Sequence, residues 1–174
     1  MGLIAYFTSH AFQSKDPCSL SNIDQVISYH YQLDLAFDFQ NEKYIDWKIL
    51  TFRLEGSIIH SLRSIKDDLK HVDFDILAIK VLEVRNEEGE SLKYKISHPG
   101  GRGNIPGDLL RITLKEKRHH GDEFKIVIEY KTEKTDEAVA MTWLKPEQTA
   151  GKKHPYMFTQ CQSIFCRTLA PFQV

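Results

Sequence analysis

The chain alternates apolar and polar residues almost throughout, and that period of two limits what it can fold into. In YHYQLDLAFDF, Tyr31, Leu33, Leu35, Phe37 and Phe39 fall on one face, with Gln32, Asp34 and Asp38 on the other. Successive side chains of a β-strand point to opposite faces, so this pattern predicts a strand with one buried face. KILTFRLE repeats it with Leu50, Phe52 and Leu54, and LKYKIS with Leu92, Tyr94 and Ile96. LLRITLKE follows with Leu110, Ile112 and Leu114, and FKIVIEYKT with Phe124, Ile126, Ile128 and Tyr130. VDFDILAIKVLEV is more continuously apolar, as expected of a strand or strand pair covered on both sides.

The connectors RNEEGES, KRHHGDE and HPGGRGNIPGD have turn compositions that suit antiparallel pairing. SLRSIKDDLK is the only stretch that resembles a helix, and it reads better as a loop with part of a strand. Strands at this spacing without intervening helices predict an all-β fold, an antiparallel sandwich or saddle of sheets. No internal repeat or low-complexity linker interrupts them. The character of the chain changes only after about residue 140, where alternation ends.

Composition excludes several function classes. With 174 residues, 41% of them hydrophobic, the chain has one domain's worth of core. A net charge of −1 gives no electrostatic case for a nucleic-acid partner. No apolar run approaches the ~18 residues of a membrane span. The N-terminus MGLIAYFTSHAF lacks a basic region and has too short an apolar run for a secretory signal. Tyr6 stands where a myristoylation motif wants Ser or Thr. Residues 1–15 therefore read as an arm preceding a domain over 16–174. Cys18, Cys161 and Cys166 form no CxxC pair, and an odd count without a signal predicts reduced thiols in the cytoplasm.

Most motifs that could carry chemistry fail on context. None of the histidines begins H-E-x-x-H, which places two zinc ligands and a general base on one helix. His119 and His120 are adjacent in an expected turn, where extended backbone points them apart. The glycine run over residues 100–107 joins two strands, whereas a dinucleotide-binding loop joins a strand to a helix. The AGKK at Ala150–Lys153 lacks the remainder of a phosphate-binding loop. A nucleophile pair of Cys161 or Cys166 with His154 has no spacing to support it, and buried structural thiols are the better expectation. No G-x-S-x-G elbow is present. TAGKKHPYMFTQCQ differs: a long polar loop that contains Tyr156 and Phe158 and follows Trp143 is expected to be ordered and to carry function.

The stretch WLKPEQTAGKKHPYMFTQCQSIFCR, from Trp143 to Arg167, closely resembles a segment of the leukotriene A(4) hydrolase and aminopeptidase B group. These are zinc aminopeptidases of the aminopeptidase N superfamily. Weaker similarity runs upstream through DPCSLSN, HYQLDLAFDF, GDLLRITL and FKIVIEYKT, so the likeness covers roughly residues 16–173. It implies a saddle-shaped N-terminal β domain, incomplete at its C-terminal end. In the family the zinc and the catalytic groups belong to a following domain carrying G-x-M-E-N and H-E-x-x-H, neither of which occurs in this chain. No cofactor and no catalytic residue are therefore expected here. The resemblance assigns a substrate-binding role at the free amino end to Gln162, with Gln160 and Ser163 as neighbours. An amide suits it, because it accepts from an ammonium group and also donates. Phe165 and Phe172 depart from the family, which often has His and Cys there.

Two readings of function follow. In the first, the chain is a non-catalytic structural or interaction module in the cytoplasm. A protein partner or self-association then covers strands that relatives cover internally. In the second, it is the N-terminal part of a zinc metallo-aminopeptidase or epoxide hydrolase, with Gln160 and Gln162 lining the substrate cleft.

Overall fold

Among the described residues, nine strands carry the alternation into space. A computed structural model describes residues 18–38, 53–98, 107–132 and 139–173. The strands are β1 (Val26–Asp38), β2 (Arg53–Ser64), β3 (Leu69–Ile76), β4 (Ile79–Asn86), β5 (Lys93–Ser97), β6 (Asp108–Arg118), β7 (Glu123–Thr132), β8 (Met141–Leu144) and β9 (Tyr156–Thr159). They form a sheet of order β1-β2-β7-β4, a sheet of order β3-β6-β5, and the hairpin β8-β9. Every pairing is antiparallel. The all-β expectation holds. The expected arm (1–15), the glycine run apart from Gly107, and Phe39, Leu50 and Phe52 lie outside the described residues.

The two larger sheets share one buried cluster. Leu54, Ile58 and Leu62 of β2 face Ile126, Ile128 and Tyr130 of β7, and the other sheet supplies Val72, Phe74, Leu110 and Ile112. Each of these is at most 0% exposed. Burying one such aliphatic or aromatic side chain contributes roughly 1.5–3 kcal/mol. Tyr130 lies opposite Gly56, and a methyl group on Gly56 would come within 2.8 Å of the Asp34 carbonyl. That close approach is why β2 carries glycine in the middle of a strand.

SLRSIKDDLK does hold a strand end, a turn and a strand start, and VDFDILAIKVLEV splits into β3 and β4. Ala78, with φ of 54°, turns the chain between them into the other sheet. In β3, Val72 to Ile76 are all buried. Val72, Phe74 and Ile76 meet the core, while Asp73 and Asp75 on the other face meet Arg111 and Arg167. Along the edge of the strand, Asn22 Oδ1 accepts from the Asp73 amide and Phe172 bridges Asp75. β4 breaks register between Val81 and Glu83, so Leu82 turns out to 47% exposure while Val84 stays in the core.

The face predicted for β1 is less buried than the alternation implied. Tyr31 is 53% exposed, and Leu33 and Leu35 are only partly buried. Among the described residues β1 is the edge of its sheet, with a neighbouring strand on one side alone.

Candidate functional site

The segment after residue 140 folds as a short hairpin and two tight turns. β8 and β9 pair with Leu144 opposite Tyr156 and Thr142 opposite Phe158. YMFT is thus a strand, although alternation over four residues is too short to read. Between the strands, Pro146–Gln148 forms a 3-10 turn. The Lys145 amide donates to Gln148 Oε1 at 2.9 Å, and the Thr149 hydroxyl donates to the Pro146 carbonyl at 2.8 Å. These local bonds order the loop. A cleft of about 490 Å³ opens against it, lined by Leu144, Thr149, Lys153, His154, Pro155 and Tyr156.

One face of the hairpin is aromatic and open. Tyr156 is 57% and Phe158 is 41% exposed, and their ring centroids lie 6.4 Å apart. Large apolar groups left open together mark a surface that something else contacts more often than isolated ones do.

Gln160, Gln162 and Ser163 follow directly. The Gln160 amide donates to the Ala140 carbonyl at 2.9 Å, which extends the hairpin pairing by one step. The chain then turns: Phe165 N–H donates to the Cys161 carbonyl at 2.9 Å, and a second 3-10 turn runs over Phe165–Thr168. The Gln162–Ser163 peptide bond is cis. All three side chains are exposed, with Gln162 and Ser163 at the tip of the turn. Two neutral amides and a hydroxyl make a surface that donates and accepts hydrogen bonds without a charge of its own.

The turn is braced from beneath. Cys161 and Cys166 form a disulfide, with their Cα atoms 4.6 Å apart. This corrects the expectation of reduced thiols. The tight turn brings the two sulfurs together, and the spacing of five residues gave no motif to read. Cys18 takes no part in the bond. His154 is exposed on the loop, on the other side of β9 from the disulfide.

Arg167 anchors the base of the turn, and residue patterns alone gave no hint of it. Its side chain is fully buried: Nε donates to the Ile164 carbonyl at 2.9 Å and Nη2 to the Cys18 carbonyl at 2.7 Å. Nη1 lies 3.6 Å from Oδ1 of Asp75, itself 0% exposed. Asp75 also accepts from the Ser19 hydroxyl at 2.6 Å and the Leu20 amide at 2.7 Å. One ion pair thus ties the turn to β3 and to the start of the domain. The Thr168 hydroxyl completes the bracing, accepting from the Ala140 amide at 3.1 Å and donating to the Phe165 carbonyl at 2.9 Å.

A zinc centre does not fit the described residues. Among them no three His, Cys, Asp or Glu side chains converge on one point. His119 and His120 sit exposed in the turn between β6 and β7, as expected, and His98 bonds Asp108. No helix among the described residues is long and apolar enough to cross a membrane.

The geometry defines an antiparallel two-sheet β domain with a braced, polar turn beside an open hairpin. The chain belongs to the Peptidase M1 N-terminal domain family, whose model matches residues 27–173. It is 34% identical to leucine aminopeptidase 2 of Yarrowia lipolytica over 157 residues, which covers 90% of this chain and 21% of that protein. Leucine aminopeptidase 2 of Emericella nidulans is 30% identical, with 91% and 24% covered. The chain therefore spans less than a quarter of the length of these relatives. Native yeast LTA4 hydrolase superposes with a TM-score of 0.74 at 25% identity, over 94% of this chain and 23% of that one. An M1 zinc metallopeptidase from Deinococcus radiodurans shares the fold alone, with a TM-score of 0.55 at 10% identity over 86% and 29%.

Proposed function

We propose that this chain is a protein-interaction module of the M1 N-terminal type. It presents the Gln160–Ser163 turn and the Tyr156–Phe158 face to a protein partner and performs no chemistry by itself. The observation that carries this reading is the construction of the turn. Two exposed amides and a hydroxyl are held in place by a disulfide and by a buried Arg167–Asp75 pair. Such a surface is built to bind, since its groups hydrogen-bond without titrating. The exposed rings beside it supply the apolar part of a contact.

Two measurements test the reading. The purified chain is expected to hydrolyse no aminoacyl-arylamide and to hold no stoichiometric zinc; turnover with bound zinc overturns it. A protein retained from native extract by the wild type is expected to be lost by both Y156D and F158D, and retention by both variants counts against this face. The cytoplasmic location expected from reduced thiols loses that ground with the Cys161–Cys166 disulfide, and cell fractionation decides it.

A second reading draws on the relatives' names. The chain matches over 90% of its own length a leucine aminopeptidase of which it covers 21%. As part of such a zinc metallo-aminopeptidase or epoxide hydrolase, Gln162 and its neighbours Gln160 and Ser163 would line the substrate cleft. Gln162 would accept a hydrogen bond from the substrate's ammonium group. Catalytic chemistry, zinc included, would come from residues outside those described. In a longer chain, Gln162→Ala is then expected to raise KM more than it lowers kcat; an unchanged KM removes that role.

A further inference from the structure

We infer that the outer edge of β1 is a pairing site for a second copy of this chain, joined edge to edge about a two-fold axis at Gln32. This names one partner for the interaction role proposed above. Its failure leaves that role, carried by the hairpin and the turn, standing.

The edge is long and, among the described residues, open. β1 has 13 residues, and among the described residues only β2 pairs with it. A bare strand edge offers a row of unpaired amides and carbonyls, which proteins usually blunt with Lys, Pro or a bulge. Val26–Asp38 contains no Lys, Arg or Pro. Its bulge, between Ser28 and His30, lies near the N-terminal end. That end is also capped: Gln173 Oε1 accepts from the Ser28 amide at 2.8 Å, and Gln173 Nε2 donates to the Val26 carbonyl at 3.1 Å. A primary amide there makes the two bonds that a neighbouring strand would make. The edge from Tyr29 to Leu35 has no such cap among the described residues.

The register follows from the backbone. Val26 and Ser28 turn their peptide groups outward, toward Gln173. The bulge shifts the ladder by one residue, so beyond it the outward groups belong to Tyr31, Leu33 and Leu35. An antiparallel copy centred on Gln32 then sets Tyr31 opposite the partner's Leu33, both with outward peptide groups. It also sets His30 opposite the partner's Asp34. His30, Gln32 and Asp34 are exposed on the outer face. An imidazole donor thus meets a carboxylate twice, once on each side of the axis. On the other face, the 53% exposed Tyr31 ring gains cover from the partner's Leu33. Moving the axis to Leu33 places Asp34 opposite the partner's Gln32 and loses both complementary pairs.

Sedimentation equilibrium of the purified full chain tests this with two exposed substitutions, H30E and D34K, with circular dichroism confirming that each folds. Wild type is expected to dimerise. H30E sets two acids face to face and D34K sets two basic groups face to face, so each alone is expected to weaken the dimer about tenfold or more. Mixing H30E with D34K chains restores opposite charges at both positions and is expected to restore a dimer. A wild-type monomer at all concentrations, a dimer that both substitutions leave intact, or a mixture that stays monomeric overturns the proposal.

Discussion

His60 shows how far burial alone sets the behaviour of a residue. Its ring is fully buried, with Nδ1 bonded to the Ser28 hydroxyl at 2.8 Å and Nε2 to the Pro171 carbonyl at 3.0 Å. Burial pushes its pKa from 6.5 down to about 4, against the opposing pull of the Pro171 carbonyl. The native imidazole is therefore neutral where the unfolded one is charged. The unfolded chain binds the extra proton between those values, so the stability it contributes is whole above pH 6.5 and lost as pH falls toward 4. Denaturant midpoints are expected to fall through that window, at a limiting ~1.4 kcal/mol per pH unit, and His60→Gln is expected to flatten the fall. Asp75 poses the opposite problem, a buried charge that must keep its partner. Asp75→Ala strands Arg167 in the interior and is expected to cost about 3–5 kcal/mol in urea unfolding. Tyr130 is the reverse case, because its buried hydroxyl has no hydrogen-bond partner among the described residues, and burial raises its pKa. Tyr130→Phe removes that group without a cavity and is expected to leave stability unchanged or raise it by about 1 kcal/mol in the same assay.

At the scale of elements, the hairpin and its turn depend on cross-links more than on core. β8 and β9 have four residues each, and a two-stranded hairpin of that size is marginal alone. Its supports are the Gln160–Ala140 and Ala140–Thr168 bonds, the disulfide and Arg167. The disulfide closes a loop with a sequence separation of only five. Reduction is therefore expected to cost at most ~2 kcal/mol, seen as a small drop in Tm with reductant. The strand pattern of this segment was illegible because four residues carry too little alternation. That its loop is ordered was legible, because aromatic residues are concentrated in it. The disulfide was not, since pairing depends on the turn that brings Cys161 and Cys166 together.

For the whole molecule, strand order decides where stability is greatest. β7 lies between β2 and β4 and supplies four buried hydrophobic residues, Phe124, Ile126, Ile128 and Tyr130. β5 is an edge strand with mostly exposed side chains, and the β8-β9 hairpin stands apart from both larger sheets. Amide hydrogen exchange is expected to be slowest in β7 and β2 and fastest in β5 and β9; a β9 as protected as β7 would show that the hairpin shares the main cooperative unit. By itself the sequence determined the all-β class, the inward faces of β6 and β7, and the family of the chain. Those properties are local: alternation is written residue by residue, and the Trp143–Arg167 motif is a contiguous string. Only the tertiary structure decided that β1 is an edge with Tyr31 half open, that Arg167 meets Asp75 in the interior, and that His60 is held neutral. Each of these depends on burial and on contacts between residues far apart in the chain, which no local pattern records.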